Sequence, residues 1–146
     1  MARTPRSVKK DVTTEAAKKA VSKSYKDYQM TSSLEGNFHK VDFSFPGIEG
    51  TGHHLMIRSR YSKEYREAEA RAARQIRALA VAKGPNEELD PELLKSIQDT
   101  AFAALVESWT FEEDCNSVNV VDFFTENPHM YELVNVEAAT DSNFFK

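Results

Sequence analysis

Residues 55–85 read LMIRSRYSKEYREAEARAARQIRALAVAKGP, in which a short apolar strand runs into a long helix. Ser62 is a good N-cap, because its hydroxyl can accept a hydrogen bond from an unpaired backbone N–H group of the first turn. Apolar residues, many of them alanine, then recur every three to four positions and form one helix face. Gly84 and Pro85 end the pattern, as expected of a C-terminal glycine followed by proline. The stretch therefore predicts a helix over residues 62–83.

A β-hairpin is predicted immediately before this helix. Val41, Phe43 and Phe45 alternate with polar residues, which is the period-two pattern of a strand with one solvent-exposed face. A second short strand covers residues 54–58, and the two strands predict a hairpin over about residues 38–59. A lone hairpin is unstable without a packed partner, so we expect the helices that follow to cover it.

Three more helices are predicted after residue 85. Asp90 at the N-cap and Pro91 at the first helical position begin one over about residues 91–108. The other two cover about residues 117–126 and about residues 128–139. Their apolar residues recur at helical spacing, so each helix has one face to bury.

The predicted fold class is mainly α: a small helical domain with an N-terminal β-hairpin and a flexible basic N-terminal arm. The domain covers residues 36–146. The arm covers residues 1–35 and is partly disordered or conditionally helical, because large apolar residues are scarce there. The formal charge of −4 hides blocks of opposite sign, since residues 1–26 sum to +6 and residues 86–146 to −12. Such blocks predict separate surfaces for separate partners, or a chain that pairs with copies of itself.

Length and composition narrow the class of protein. The 146 residues make one domain's worth of chain, and no apolar run approaches the ~18 residues of a transmembrane helix. The basic start is not followed by an apolar segment, so we expect no secretory signal. A lone cysteine, Cys115, excludes an intrachain disulfide framework. We therefore expect a cytosolic protein without a membrane partner.

The sequence contains no motif for catalysis or metal binding. His53 and His54 are adjacent and would point to opposite faces of a strand, and no cysteine or carboxylate cluster has metal-ligand spacing near His39. No serine or cysteine lies in a nucleophile motif, and the glycines lack the other residues of a phosphate-binding loop. Three carboxylates just before Cys115 disfavour its thiolate form. We expect no catalytic residue, no metal and no cofactor, and therefore no enzyme.

Aromatic residues of the second half are the candidate partner-binding residues. They are numerous for three short helices, although ordinary core packing is the alternative for each of them. Phe144 and Phe145 either fold back onto the domain or insert into a groove of a partner. The candidates are Trp109, Phe111, Phe123, Phe124, Phe144 and Phe145.

Four short motifs, in this order along the chain, resemble those of a known family. They are LMIRSRYSKEY at residues 55–65, LVESWTF at residues 105–111, VVDFFTENP at residues 120–128 and NFF at residues 143–145. The pattern resembles the tail assembly chaperones of long-tailed bacteriophages over about residues 53–146. These small helical proteins often have a Trp-x-Phe motif, a leucine- or phenylalanine-rich helix that ends in Asn-Pro or Tyr-Pro, and an Asn-Phe pair near the C-terminus.

The resemblance implies a non-enzymatic role in the host cell cytoplasm. Such chaperones coat the aggregation-prone tape measure protein, recruit tail tube subunits around it and are absent from the mature virion. They also oligomerise, and the basic helix 62–83 and the acidic second half of this chain could meet head to tail between copies. The residues for such charge pairing in a homo-oligomer are Arg66, Arg71, Arg74, Arg77, Glu112, Glu113 and Asp114.

Two other functions are left open. A structural protein retained in the phage particle would share these features, with the arm reaching across to a neighbouring subunit in the virion. A small nucleic-acid-binding protein would use residues 1–26 and the arginines of helix 62–83, since phosphate neutralisation needs only Lys and Arg. The charge of −12 in residues 86–146 and the lack of a base-reading module argue against nucleic acid, so we do not expect that partner.

Overall fold

The structure is a computed structural model that describes residues 24–145. It confirms the mainly α fold class, because this range contains five α-helices and one small antiparallel sheet of three strands. Two 3-10 turns, Tyr25–Asp27 and Asp141–Asn143, flank them. The elements are α1 (Met30–Ser33), β1 (His39–Asp42), β2 (His54–Ile57), α2 (Lys63–Lys83), α3 (Pro91–Ala103), β3 (Val106–Trp109), α4 (Ser117–Glu126) and α5 (Pro128–Ala138).

The described residues divide into two units, with the boundary between Met30 and Thr31. Most of the predicted basic arm lies outside the described residues. Of the residues that motivated the nucleic-acid alternative, the structure describes residues 24–26 and the arginines of helix 62–83. The prediction that the domain begins at residue 36 is wrong, because Leu34 is buried among the core residues of the second unit. A single leucine after a short helical turn gives no periodic signal, so only its packing reveals that it belongs to the domain.

The sheet places β2 at its centre. β2 pairs antiparallel with β1 on one side and with β3 on the other, so that Leu55 lies opposite both Val41 and Trp109. Leu55 and Ile57 have no exposed surface. A central strand satisfies its backbone groups on both edges, and these two side chains alternate onto the buried face. The predicted hairpin therefore supplies two of the three strands of the sheet.

The prediction that the third helix runs to about residue 108 is wrong. The helix ends at Ala103, and Val106–Trp109 forms the third strand instead. The Arg58 backbone N–H donates to the Leu105 carbonyl at 2.6 Å, which joins the end of β2 to the segment leading into β3. Pairing with β2 outweighs the local helical spacing here: Val106 is buried at the start of the strand, and Leu105 is buried in the turn that precedes it.

One apolar core lies among the sheet and helices α3, α4 and α5. Phe144 is 3% exposed and packs in this core. Of the two alternatives for this residue, the structure therefore has the one in which it folds back onto the domain. The Asn37 side-chain amide donates to the Phe144 carbonyl at 3.1 Å, so the start and the end of this unit are joined. The fully buried residues with large side chains are Leu55, Ile57, Leu105, Met130, Val120 and Val134.

Helices α2 and α3 form a helical hairpin with a separate, small core of Ala68, Ala72 and Ala101. Ser62 caps α2, because its side chain accepts a hydrogen bond from the Tyr65 backbone N–H at 3.4 Å. Gly84 ends α2 with φ of 98°, a left-handed conformation that favours glycine. In the range 24–145, no helix has both the length and the apolar composition needed to cross a membrane.

Candidate protein-binding site

Four aromatic rings from three parts of the chain meet beside the sheet, and we call them the aromatic cluster: Phe43, Trp109, Phe111 and Phe123. Phe123 on α4 lies between the others, with ring centroids 5.4 Å from Phe43, 5.7 Å from Trp109 and 5.3 Å from Phe111. Most of these contacts are edge-to-face or tilted, the geometries that aromatic quadrupoles favour. The cluster therefore has a defined shape.

The aromatic cluster is only half buried. All four of its members keep part of their surface exposed to solvent. Two further apolar residues of the loop after β1 are more exposed, Phe45 at 45% and Ile48 at 56%. Phe45 contacts Phe43 at a centroid distance of 6.2 Å, so it extends the exposed apolar surface. A contiguous, partly exposed aromatic surface is typical of a protein-binding site.

Hydrogen bonds hold the rings in place. The Trp109 indole Nε1–H donates to the Glu113 carbonyl at 2.7 Å, and Asn119 Nδ2 donates to the Asp114 carbonyl at 2.8 Å, so the turn between β3 and α4 is fixed at both ends. On the other side of the cluster, His53 stacks on Phe111 with centroids 4.5 Å apart. A rigid aromatic surface loses little conformational entropy when a partner binds.

The surface next to the cluster is acidic. Trp109, Phe111 and Phe123 line a shallow cleft of about 240 Å³, together with the carboxylates of Glu113, Asp122 and Glu126 and the amides of two asparagines. No basic side chain is among the residues that line this cleft. The arrangement suits an apolar side chain that inserts among the rings while basic groups nearby pair with the carboxylates.

The six aromatic candidates from the sequence have three different environments. Trp109, Phe111 and Phe123 belong to the aromatic cluster. Phe124 is 6% exposed and packs on Phe102 and Tyr131, and Phe144 lies in the core beside His39, so neither is available to a partner. Phe145 is 37% exposed, next to Phe144 at the C-terminus.

The charged candidates lie in two separate places. Arg66, Arg71, Arg74 and Arg77 are exposed along α2, and Arg66 donates from Nη1 to Thr31 Oγ1 at 3.3 Å. Glu112, Glu113 and Asp114 are exposed in the turn between β3 and α4. No ion pair joins these two groups within residues 24–145. Charge pairing between copies stays a prediction.

The titratable side chains of residues 24–145 bear on metal binding and on the reactivity of Cys115. Among residues 24–145, no group of three or more His, Cys, Asp and Glu side chains could hold a metal ion. Burial raises the pKa of the Cys115 thiol above its ordinary value, and the carboxylate of Glu107 raises it further against a smaller, opposite effect of Arg58. The direction agrees with the sequence-based prediction, but the carboxylate responsible lies on β3 rather than in the turn at residues 112–114.

Sequence reasoning missed two members of this region. Phe43 was predicted to be an ordinary strand residue, but it contacts Phe111 and Phe123 and stacks near His129. His53 was considered from the sequence only as a metal ligand of the hairpin, but its Nδ1 lies 2.9 Å from Thr110 Oγ1. The alternation of aromatic residues at positions 43, 45, 109 and 111 is the only signal that marks these segments, and it does not reveal that they are adjacent.

Comparison of the chain with known protein families, with curated proteins and with solved structures gives no match. The candidate site therefore stands on its geometry and chemistry alone.

Proposed function

We propose that this protein is a tail assembly chaperone of a long-tailed bacteriophage, which binds the tape measure protein and helps to recruit tail tube subunits. It acts without catalysis, in the host cell cytoplasm, and leaves before the virion is complete. The proposal combines the family resemblance of the sequence motifs with the aromatic cluster as a binding surface.

The observation that carries the proposal is the half-buried, hydrogen-bonded aromatic cluster beside an acidic cleft. A tape measure protein is a long helical client with apolar stripes, and exposed aromatic rings are the side chains that most often anchor such a segment. The carboxylates of Glu113, Asp122 and Glu126 favour a client segment that carries Lys or Arg next to its apolar anchor.

The test is co-expression of the chain with a tape measure protein from the same genome. We expect the tape measure protein to become soluble and to co-purify with this chain at both about 0.1 M and about 1 M salt, because apolar contacts resist screening. If the tape measure protein stays insoluble and the chain elutes alone, the proposal fails.

A matched pair of variants connects this binding to the aromatic cluster. Trp109→Ala is expected to weaken the complex by about 2 kcal/mol or more, which is roughly 30-fold. Phe145→Ala removes a similarly exposed aromatic ring outside the cluster and is expected to leave binding unchanged. Far-UV circular dichroism of both variants checks that each is folded, and equal binding by both would exclude the aromatic cluster as the site.

Retention in the phage particle is the competing function from the sequence. Mass spectrometry of purified particles separates the two, because a chaperone is expected to be absent or present only in traces. Stoichiometric amounts of this chain in finished particles would contradict the chaperone proposal and favour a structural role.

A further inference from the structure

A cavity of about 360 Å³ lies where helices α2 and α3 meet β3 and the start of α4. The small side chains of Ala68 and Ala72 on α2, and of Ala101 and Ala103 on α3, form part of its wall and leave its space open. The residues that line this cavity do not include any ring of the aromatic cluster. It is therefore separate from the candidate protein-binding site.

Two arginines from different elements line this cavity, Arg58 after β2 and Arg71 on α2, and we call it the arginine cavity. Neutral groups hold Arg58 in place: its Nη1 donates to the Ala104 carbonyl at 2.8 Å, and its guanidinium carbon lies 6.0 Å from the centre of the Phe38 ring. Its Nε is buried without a hydrogen-bond partner, and the ion pairs of residues 24–145 do not include Arg58. This cation is thus partly removed from water without a carboxylate in contact, which is unfavourable.

The lining of the arginine cavity has an excess of one positive charge. Glu107 is the one carboxylate among the described residues that line it, against the two arginines. The Ser108 hydroxyl donates to Glu107 Oε2 at 2.5 Å, and no ion pair joins Glu107 to either arginine in the described part of the chain. Neutral side chains that can donate hydrogen bonds are also in the lining: Gln75, Asn116 and Ser117. The cavity therefore favours a ligand that is negatively charged and accepts hydrogen bonds.

We propose that the arginine cavity binds a small free anion through a terminal oxyanion group, a phosphate or a carboxylate. Guanidinium groups donate paired hydrogen bonds to both of these groups. The volume is at the lower end of the range for small-molecule sites, so only a short carbon chain fits beside the oxyanion, against the alanine side chains. The site is independent of the function proposed above, because the aromatic cluster takes no part in it.

Cys115 provides the measurement, because it lines the same cavity and is the single cysteine of the chain. The full-length chain is alkylated with iodoacetamide at constant pH and constant ionic strength, while sodium chloride is replaced stepwise by sodium phosphate or by sodium butyrate. A bound anion places negative charge near the thiol and disfavours its reactive thiolate form. We expect the alkylation rate to fall and then level off, with half of the effect at about 1 mM anion.

Arg71→Gln and Arg74→Gln are a matched pair of variants, because each removes one exposed charge from α2 and only Arg71 lines the cavity. Arg71→Gln is expected to raise the half-effect concentration about tenfold through the loss of a charged hydrogen bond. Arg74→Gln is expected to change it by less than about twofold, because exposed charges outside the site are screened. Glu107→Gln removes the negative charge of the lining and is expected to lower it roughly threefold. Circular dichroism checks that each variant is folded.

The two anions separate the two oxyanion groups. Protection by both supports the proposal for both groups, and protection by one of them alone identifies that group as the ligand. The proposal is overturned if neither anion slows alkylation at roughly ten times the expected half-effect concentration. It is also overturned if the urea-unfolded chain is slowed equally, if the Arg71 and Arg74 variants behave alike, or if Glu107→Gln weakens the protection.

Discussion

Phe123 and Phe124 are adjacent in sequence but are expected to respond very differently to truncation. Phe124 is 6% exposed, and its ring lies 5.4 Å from Phe102, 5.4 Å from Phe123 and 5.9 Å from Tyr131. Truncation of a fully packed phenylalanine to alanine costs about 3–5 kcal/mol of unfolding free energy. Three aromatic partners lose a contact at once, so we expect Phe124→Ala to cost about 4 kcal/mol.

Phe123→Ala is the matched comparison, because the same atoms are removed one position earlier on α4. Part of the Phe123 ring is already in water, so less apolar surface is transferred on unfolding and a smaller cavity is left. We expect a loss of about 2 kcal/mol, half that of Phe124→Ala. Binding to the tape measure protein is expected to fall for Phe123→Ala, since its ring belongs to the aromatic cluster.

Urea unfolding measures both losses, with far-UV circular dichroism for the helices and the fluorescence of Trp109, the single tryptophan, for the aromatic cluster. Equal unfolding slopes in all three proteins are needed for the comparison. The reasoning is refuted if Phe123→Ala costs as much as Phe124→Ala, or if Phe124→Ala costs less than about 1.5 kcal/mol. The first result would mean that the two rings do not differ in burial, and the second would mean that Phe124 is not packed against its three aromatic neighbours.

Two further predictions concern the C-terminus and Cys115. Phe144→Ala is expected to lower the unfolding free energy by about 3 kcal/mol and Phe145→Ala by less than about 0.5 kcal/mol, because only Phe144 is buried. Thermal or urea unfolding measures both losses, and equal losses for the two variants would contradict this prediction. The thiol of Cys115, the single cysteine, reacts as its thiolate, and burial raises its pKa in the folded protein. The rate of alkylation by iodoacetamide is therefore expected to keep rising with pH in the folded protein at pH values where the rate for the urea-unfolded chain has already reached its plateau. A plateau of the folded protein at the same or a lower pH would disprove the raised pKa.

The predictions from sequence succeed where a signal is local. Ser62 and Gly84 mark the two ends of α2, and Asp90 with Pro91 begins α3, because capping depends on hydrogen bonds within one turn of chain. The same local patterns place α4 and α5 within a residue of their observed ends. The mainly α fold class follows from these helices.

The third strand shows where local signals fail. Residues 104–108 continue the apolar spacing of α3, and nothing nearby in sequence reveals that β2, about 50 residues earlier, has an unpaired edge. Strand pairing is a contact between distant segments, so its energy does not appear in any local pattern. The strand at Val106–Trp109 also directs the chain so that Phe111 contacts Phe43 and Trp109 contacts Phe123.

By itself, the sequence determined helices α2, α4 and α5, the start of α3, the charge blocks and the set of aromatic residues from which a binding surface could be built. Only the tertiary structure decided which of those residues are accessible: it buries Phe124 and Phe144 and leaves Phe123 and Trp109 half exposed. The physical reason is that capping and periodicity act between residues a few positions apart. Burial, in contrast, depends on which distant surfaces the folded chain brings into contact.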